Sequence, residues 1–285
     1  MQIPKVIVIT GASSGFGLNA SQILAIRGHK VFGLSRRDWP RSPGVRMLVC
    51  DVRDEASVRT NVKAILAATG RIDVLVNNAG YSLTGFIEEA ETNQAEALFN
   101  TNFFGAVRMT RAVLPTMRRQ RSGTIINVSS LGGLIAVPGR GFYCASKSAL
   151  EAYSDSLRHE LTNLGIRISL VEPNHFNTGF NSAKVAATER IIDYDNLRAG
   201  VKQAAESDTR KSEDPSRVAE LIAHIAECNK PRFRYQVGHK SHFYAFLRKI
   251  TPDTIASWLI RRRFRAYNDG KDKASAALTP ETGAK

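Results

Sequence analysis

A doubly wound α/β fold is predicted: a single parallel sheet with helices on both faces, followed by a helical extension. Short runs rich in Val and Ile alternate with longer helical stretches, and that alternation calls for parallel strands joined by crossover helices. The first run leads straight into a glycine-rich turn that opens a helix. No internal repeat and no linker-like stretch divides the 285 residues, so one large domain is expected.

The elements follow in order. The β-branched run 6–10 is the first strand, and a helix extends from the turn to about Arg27. Its apolar residues flow into the turn without a small-residue cleavage site, so it reads as a strand and not a signal peptide. Strands are expected over 29–34 and 45–50, then a helix over 54–68 with Asp54 as its N-cap. A fourth strand over 72–76 precedes one long helical region, 92–119. A fifth strand, 124–128, and a helix, 142–164, lead to a sixth strand over 167–171. A helix over 214–228 puts Pro215 at its first position, where the missing N–H does no harm. A short last strand covers 235–237, and two short helices cover 239–247 and 252–264. Residues 177–211 show no strong strand pattern, and their apolar residues are sparse.

Composition narrows the function classes. With 43% apolar and 23% charged residues the chain is neither disordered, collagen-like nor a coiled coil. No apolar run reaches the roughly 18 to 20 residues that span a bilayer. Cys50, Cys144 and Cys228 have neither metal nor redox spacing and suggest a reducing compartment, so a cytoplasmic location and no metal are expected. Lys and Arg number 40 against 26 Asp and Glu, a formal charge of +14. Much of the excess lies between Lys230 and Arg265, where Asp253 is the sole acid. No helix-turn-helix, zinc-finger or RNP pattern accompanies it, so nucleic acid is not an expected partner.

Thr10-Gly11-Ala12-Ser13-Ser14-Gly15-Phe16-Gly17 sits where backbone N–H groups can approach a pyrophosphate and a helix N-terminus supplies partial positive charge. Gly11, Gly15 and Gly17 keep side chains out of that approach or out of the helix–strand contact. Its spacing, G-x-x-x-G-x-G, departs from the generic dinucleotide fingerprint. The second strand ends in Ser35-Arg36-Arg37-Asp38. Arginines there accept a ribose 2′-phosphate, which predicts NADP(H); if the strand ran further, Asp38 would become a ribose ligand and favour NAD(H). Asp51, after the third strand, is a candidate acceptor for the adenine amino group. Tyr143 and Lys147 stand one helical turn apart. A nearby ammonium favours the phenolate and lowers the pKa of a tyrosine toward the range useful in acid–base work.

Taken together, T-G-x-x-x-G-x-G, Asn77-Asn78-Ala79-Gly80, Asn102 in Asn102-Phe103-Phe104-Gly105, Ser129-Ser130 and Tyr143-x-x-x-Lys147 resemble the short-chain dehydrogenase/reductase family, in order and across 6–178. The resemblance implies a single Rossmann-type domain and carbonyl–alcohol chemistry on a nicotinamide cofactor. It gives Tyr143 the proton transfer. Lys147 would lower the Tyr143 pKa and hold the nicotinamide ribose. Ser130, with Ser129 as its rival, would bond the substrate oxygen, and Asn102 would order a proton relay from Lys147 to solvent. Cofactor contacts are implied for Gly11, Ser13, Ser14, Gly15, Phe16, Gly17, Arg36, Arg37, Asp51, Val52, Asn78, Ala79, Gly80, Tyr143, Lys147, Pro173 and Thr178, the last beside the nicotinamide carboxamide. After Pro173 the family often has glycine; here Asn174, tolerant of left-handed geometry, would keep the turn. His175 is read as a loop residue.

The division expected is a catalytic NADP-binding domain, 1–238, with a substrate-covering segment at 174–212. A basic amphipathic helical extension, 239–268, and a mobile tail, 269–285, follow. Leu131, Leu134, Ile135 and Val137 are candidate pocket walls. Leu131-Gly132-Gly133-Leu134, Phe142-Tyr143-Cys144-Ala145-Ser146-Lys147 and Glu172-Pro173 look most like the branch with 17β-hydroxysteroid and retinol dehydrogenases, implying an apolar small-molecule substrate. A 3-oxoacyl thioester reductase and a non-catalytic NADP(H)-sensing regulator are the alternatives. A homodimer or homotetramer is implied. The basic extension is read first as a helical cap packed on the domain, ahead of closing the pocket or contacting an anionic membrane.

Overall fold

The computed structural model describes residues 3–37, 42–174, 176, 184–210 and 212–264. Asp38, His175, Thr178, Arg265 and the expected tail 269–285 lie outside the described residues.

Strand β1 (Val6–Thr10) is followed by α1 (Gly15–Ile26), β2 (Lys30–Ser35), β3 (Val45–Val49) and α2 (Glu55–Thr69). Asp54 caps α2 as expected, its carboxylate accepting from Ala56 N at 2.9 Å. After β4 (Val74–Asn77) and the two-residue β5 (Leu83–Thr84), the long helix predicted over 92–119 is in fact two, α3 (Thr92–Asn102) and α4 (Phe104–Gln120). The join falls at Phe103 (φ −111°, ψ −63°), and the break leaves the Asn102 side chain bonded to the Tyr81 backbone. β6 (Gly123–Val128), α5 (Gly141–Glu160) and β7 (Ile166–Pro173) complete the central part.

β8 (Val185–Ala186) pairs with β5, and α6 (Asp195–Arg210) follows. The sequence leaves this helix unread because the apolar residues of α6 are few: Leu197, Val201, Ala204 and Ala205 fall at helical spacing, but only Ala204, with Gly200, is fully buried. α7 (Ser216–Glu227) begins one residue after Pro215, which sits at the N-cap and not at the first helical position; Asp214 instead accepts from Ser216 N at 2.8 Å. β9 (Arg234–Val237), α8 (Ser241–Ile250) and α9 (Asp253–Phe264) close the described chain.

Seven strands form one sheet, all parallel, in the order β3-β2-β1-β4-β6-β7-β9. Every residue of β1 is buried, because its two faces serve two cores. Ile7 and Ile9 join Leu24 of α1 and Val218 and Ile222 of α7. Val6 and Val8 join Val58 and Ile65 of α2, Met109 of α4 and Leu157 of α5. This is why the strand reads as a continuous apolar run and not as an alternating one. The strand order reverses between β1 and β4, and a crevice outside their C-terminal ends is where such sheets bind ligands.

Candidate active site

At that crevice the β1–α1 turn is held from below. Thr10 Oγ1 accepts from the N–H groups of Asn78 and Ala79, each at 3.0 Å, while Asn78 Nδ2 donates to the carbonyls of Thr10 (2.9 Å) and Gly11 (3.2 Å). Gly11 and Gly15 take positive φ. A Cβ at Gly17 would collide with Asn78 Nδ2 and stand 2.5 Å from Gly11 O, so this glycine serves the close packing of α1. Ser14, at the N-cap of α1, makes no side-chain capping bond. Open backbone donors at a helix start, next to a turn kept free of side chains, fit a dinucleotide pyrophosphate. Ser13 and Phe16 belong to the same turn, and the Phe16 ring meets Phe176 edge-on at 5.7 Å.

Arg36 and Arg37 are exposed directly after β2. Asp51 is not a bare acceptor: Arg53 grips its carboxylate through Nε and Nη2, holding the acid below the ordinary carboxylate range. Arg36 acts on both Asp51 and Tyr81, as Arg53 does, so these groups surround one exposed corner. Arg53 carries no signal in the sequence beyond its charge. Val52 is buried beside them, packed against the backbone of Gly105.

The Asn102 amide is fully engaged. Its Oδ1 accepts from Tyr81 N (3.0 Å) and its Nδ2 donates to Tyr81 O (3.0 Å) and Ser146 Oγ (3.2 Å). Lys147 Nζ donates to Val128 O at 2.8 Å. A Cβ at Gly80 would lie 3.0 Å from Asn102 Oδ1 and 3.8 Å from Lys147 Nζ, so glycine keeps the space between them open. Tyr143 and Lys147 share the buried face of α5, with Nζ 5.9 Å from the phenol ring centre.

The Ser130 hydroxyl is hydrogen-bonded to Tyr143. Ser129 turns the other way, toward Glu151 beneath Gly133. Burial pushes the Tyr143 phenol up, against the pull of the Ser130 hydrogen bond and the charge of Arg140. This corrects the expected acidification by Lys147, whose own ammonium is pushed down to about 8 by burial, against the charge of Glu151. Desolvation dominates both groups.

Two further expectations change. Asn174 is not in the left-handed region. It extends the pairing of β7, donating from N to Val237 O at 2.9 Å and from Nδ2 to His239 O at 3.0 Å. Pro173, the last residue of β7, lies in register with Val237. Leu134 does not line the pocket, although Leu131, Ile135 and Val137 do.

That pocket has a volume of about 550 Å³. Ser130 and Tyr143 line it together with Val201 of α6 and Tyr244, Leu247, Leu259 and Phe264 of α8 and α9. The C-terminal helices are therefore pocket walls as well as a cap. Among the described residues no group of His, Cys, Asp and Glu could hold a metal, and no helix is long and apolar enough to cross a membrane.

A parallel sheet with an open-donor turn at its reversal point, and a buried Tyr–Lys pair beyond it, defines the class of nicotinamide-dependent oxidoreductases. Within that class the chain belongs to the short-chain dehydrogenase/reductase family. The family model described as short chain dehydrogenase matches residues 5–189. A 3-ketodihydrosphingosine reductase of Bacteroides thetaiotaomicron is 40% identical, the match covering 90% of this chain and 97% of that one. A short-chain dehydrogenase from Streptomyces avermitilis superposes with a TM-score of 0.79 at 30% identity, over 97% of this chain and 100% of that one. A family member from Burkholderia phymatum in complex with NAD gives 0.70 at 28% identity, over 82% and 88%. The chain is thus an NAD(P)-dependent oxidoreductase acting on CH–OH groups.

Proposed function

We propose that the enzyme interconverts a ketone and an alcohol on a long, lipid-like apolar substrate, with NADP(H) as its cofactor. One observation carries this reading: the Ser130 and Tyr143 side chains converge in a pocket of about 550 Å³ whose other walls are largely aliphatic and aromatic. The Bacteroides relative, named a 3-ketodihydrosphingosine reductase and 40% identical along 90% of this chain, supports it.

A nicotinamide bound in this cleft would supply the hydride. Tyr143 donates the proton to the carbonyl oxygen in reduction and removes it in oxidation. A phenol pushed up by burial stays protonated at neutral pH, which suits the acid role. Ser130 bonds the same oxygen as charge develops on it, holding it within reach of Tyr143. Lys147 holds the nicotinamide ribose and returns a proton toward Tyr143. Asn102 fixes the backbone at Tyr81 and, with Gly80, keeps open the space beside Lys147 Nζ. Gly11 to Gly17 cradle the pyrophosphate. Arg36 and Arg37 would take the 2′-phosphate, supported by the corner that Arg36 shares with Arg53. Asp51 and Val52 would border the adenine, Asn78, Ala79 and Gly80 would floor the cleft, and Pro173 would stand at its carboxamide end. By family likeness the working unit is a homo-oligomer.

Turnover of 3-ketodihydrosphingosine, steroids, retinoids and 3-oxoacyl thioesters with NADPH and with NADH tests the proposal. Reduction of a lipid or steroid ketone with NADPH preferred is expected. Turnover of thioesters alone would reject the substrate class, and tighter NADH binding would reject the Arg36 and Arg37 assignment.

A further inference from the structure

Six large apolar side chains on the last two helices remain between 39% and 61% exposed: Phe243, Phe246 and Ile250 on α8, and Ile255, Trp258 and Leu259 on α9. Each set recurs at helical spacing and so shares one face. Elsewhere among the described residues, exposed large apolar side chains occur singly, one to an element. The same stretch carries Lys240, Arg248, Lys249, Arg261, Arg262 and Arg263 against one acid, Asp253. Arg248 neutralises that acid at 3.1 Å and Arg263 pairs with Asp208 at 2.5 Å. Lys240, Lys249, Arg261 and Arg262 have no acidic partner among the described residues, and Arg262 lies over the Trp258 ring at 5.2 Å. Phe243 and Leu259 belong both to this patch and to the wall of the pocket that holds Tyr143, so patch and pocket rim are continuous.

We infer that the α8–α9 face docks on an anionic lipid surface, with the pocket rim opening into the lipid so that substrate reaches Tyr143 without crossing water. Apolar helical faces edged with Arg and Lys and carrying Trp bind at the headgroup boundary, strengthened by anionic lipid. A second copy of this face would set cation against cation. Nucleic acid would use the charges and leave the phenylalanines in water. Residues 265–285 bring only Tyr267 and Leu278 as large apolar side chains, too few to cover the patch. The route of entry rests on the apolar-substrate reading; the docking itself does not.

The test is cosedimentation of the full chain with phosphatidylcholine vesicles, with and without phosphatidylglycerol. Binding to the anionic vesicles that weakens with salt is expected. The double variant Phe246→Glu, Trp258→Glu alters two residues that do not line the pocket. It should bind the vesicles about tenfold or more weakly. It should also keep wild-type turnover of a water-dispersed ketone and lose turnover of the same ketone embedded in vesicles. A wild-type chain that stays in the supernatant, or a double variant that sediments as well as wild type, would overturn the docking. So would an oligomer that forms through this face without lipid and is dissolved by the same substitutions. Vesicle binding with no turnover of any apolar ketone would overturn the substrate reading and leave the docking in place.

Discussion

Tyr143 and Lys147 are both buried, and burial acts on them in opposite directions: it raises the phenol and lowers the ammonium to about 8. If Lys147 passes protons to Tyr143, kcat/KM for reduction should fall as pH rises through about 8 and the ammonium is lost. Glu151, one turn further along α5, holds the ammonium up, so Glu151→Gln should move that limb to lower pH; a limb that stays put would separate Glu151 from the relay. Tyr143→Phe removes the proton donor and should cost about 10² to 10⁴ in turnover while NADPH still binds, read by fluorescence titration. Arg36→Ser with Arg37→Ser removes two charged hydrogen-bond donors worth roughly 1.5 to 3 kcal/mol each. The KM for NADPH should rise at least tenfold while that for NADH hardly moves.

The elements around the pocket are tied by one buried carboxylate. Glu89, in the short turn after β5, is 1% exposed and paired with Arg198 of α6. It also accepts from Ile191 N at 2.9 Å and Phe86 N at 3.0 Å. The Arg198 hydrogen bond, with those backbone donors, holds Glu89 down to about 2 from an ordinary 4.5. A depressed acid stabilises above its unfolded value and loses that contribution as pH falls. The attachment of residues 184–210 should therefore weaken between about pH 4.5 and 2. At neutral pH, Glu89→Gln should loosen α6, seen as faster amide exchange along 195–210 and a higher KM for apolar substrate with the NADPH KM unchanged.

Across the whole molecule the far edge of the sheet depends on a buried charge cluster. Arg234 on β9 pairs with Glu151 and Asp155 of α5 and, at 2.8 Å, with Glu172 of β7, which is 0% exposed. Gln236 adds a bond to Glu172 at 2.6 Å. Removing the cation strands Glu151 and Glu172, which the fold has already desolvated, at a cost of about 3 to 5 kcal/mol. Arg234→Met should lower the calorimetric midpoint by roughly 6 to 20 °C. A shift within about 1 °C would show that the acids find other partners. The lysine variant should recover part of the loss.

Most of the scaffold was legible along the chain. The strand runs record burial on both faces of the sheet as unbroken apolar stretches, and the Asp54 cap, the glycine turn and the Tyr143–Lys147 spacing are set within a few residues, so local patterns carry all of them. The break at Phe103, the helix α6, the pairing of Asp51 with Arg53 and the geometry of Asn174 were not legible. Nor was it legible that α8 and α9 wall the pocket as well as cap the domain; spacing alone favours Ser130 over Ser129. Each is set by partners distant in sequence or by a choice among neighbouring side chains. Tyr81 clamps Asn102, Asp208 meets Arg263, and burial outweighs a nearby charge at Tyr143. Periodicity names the residues that face inward; packing decides which of them meet, and with what loss of water.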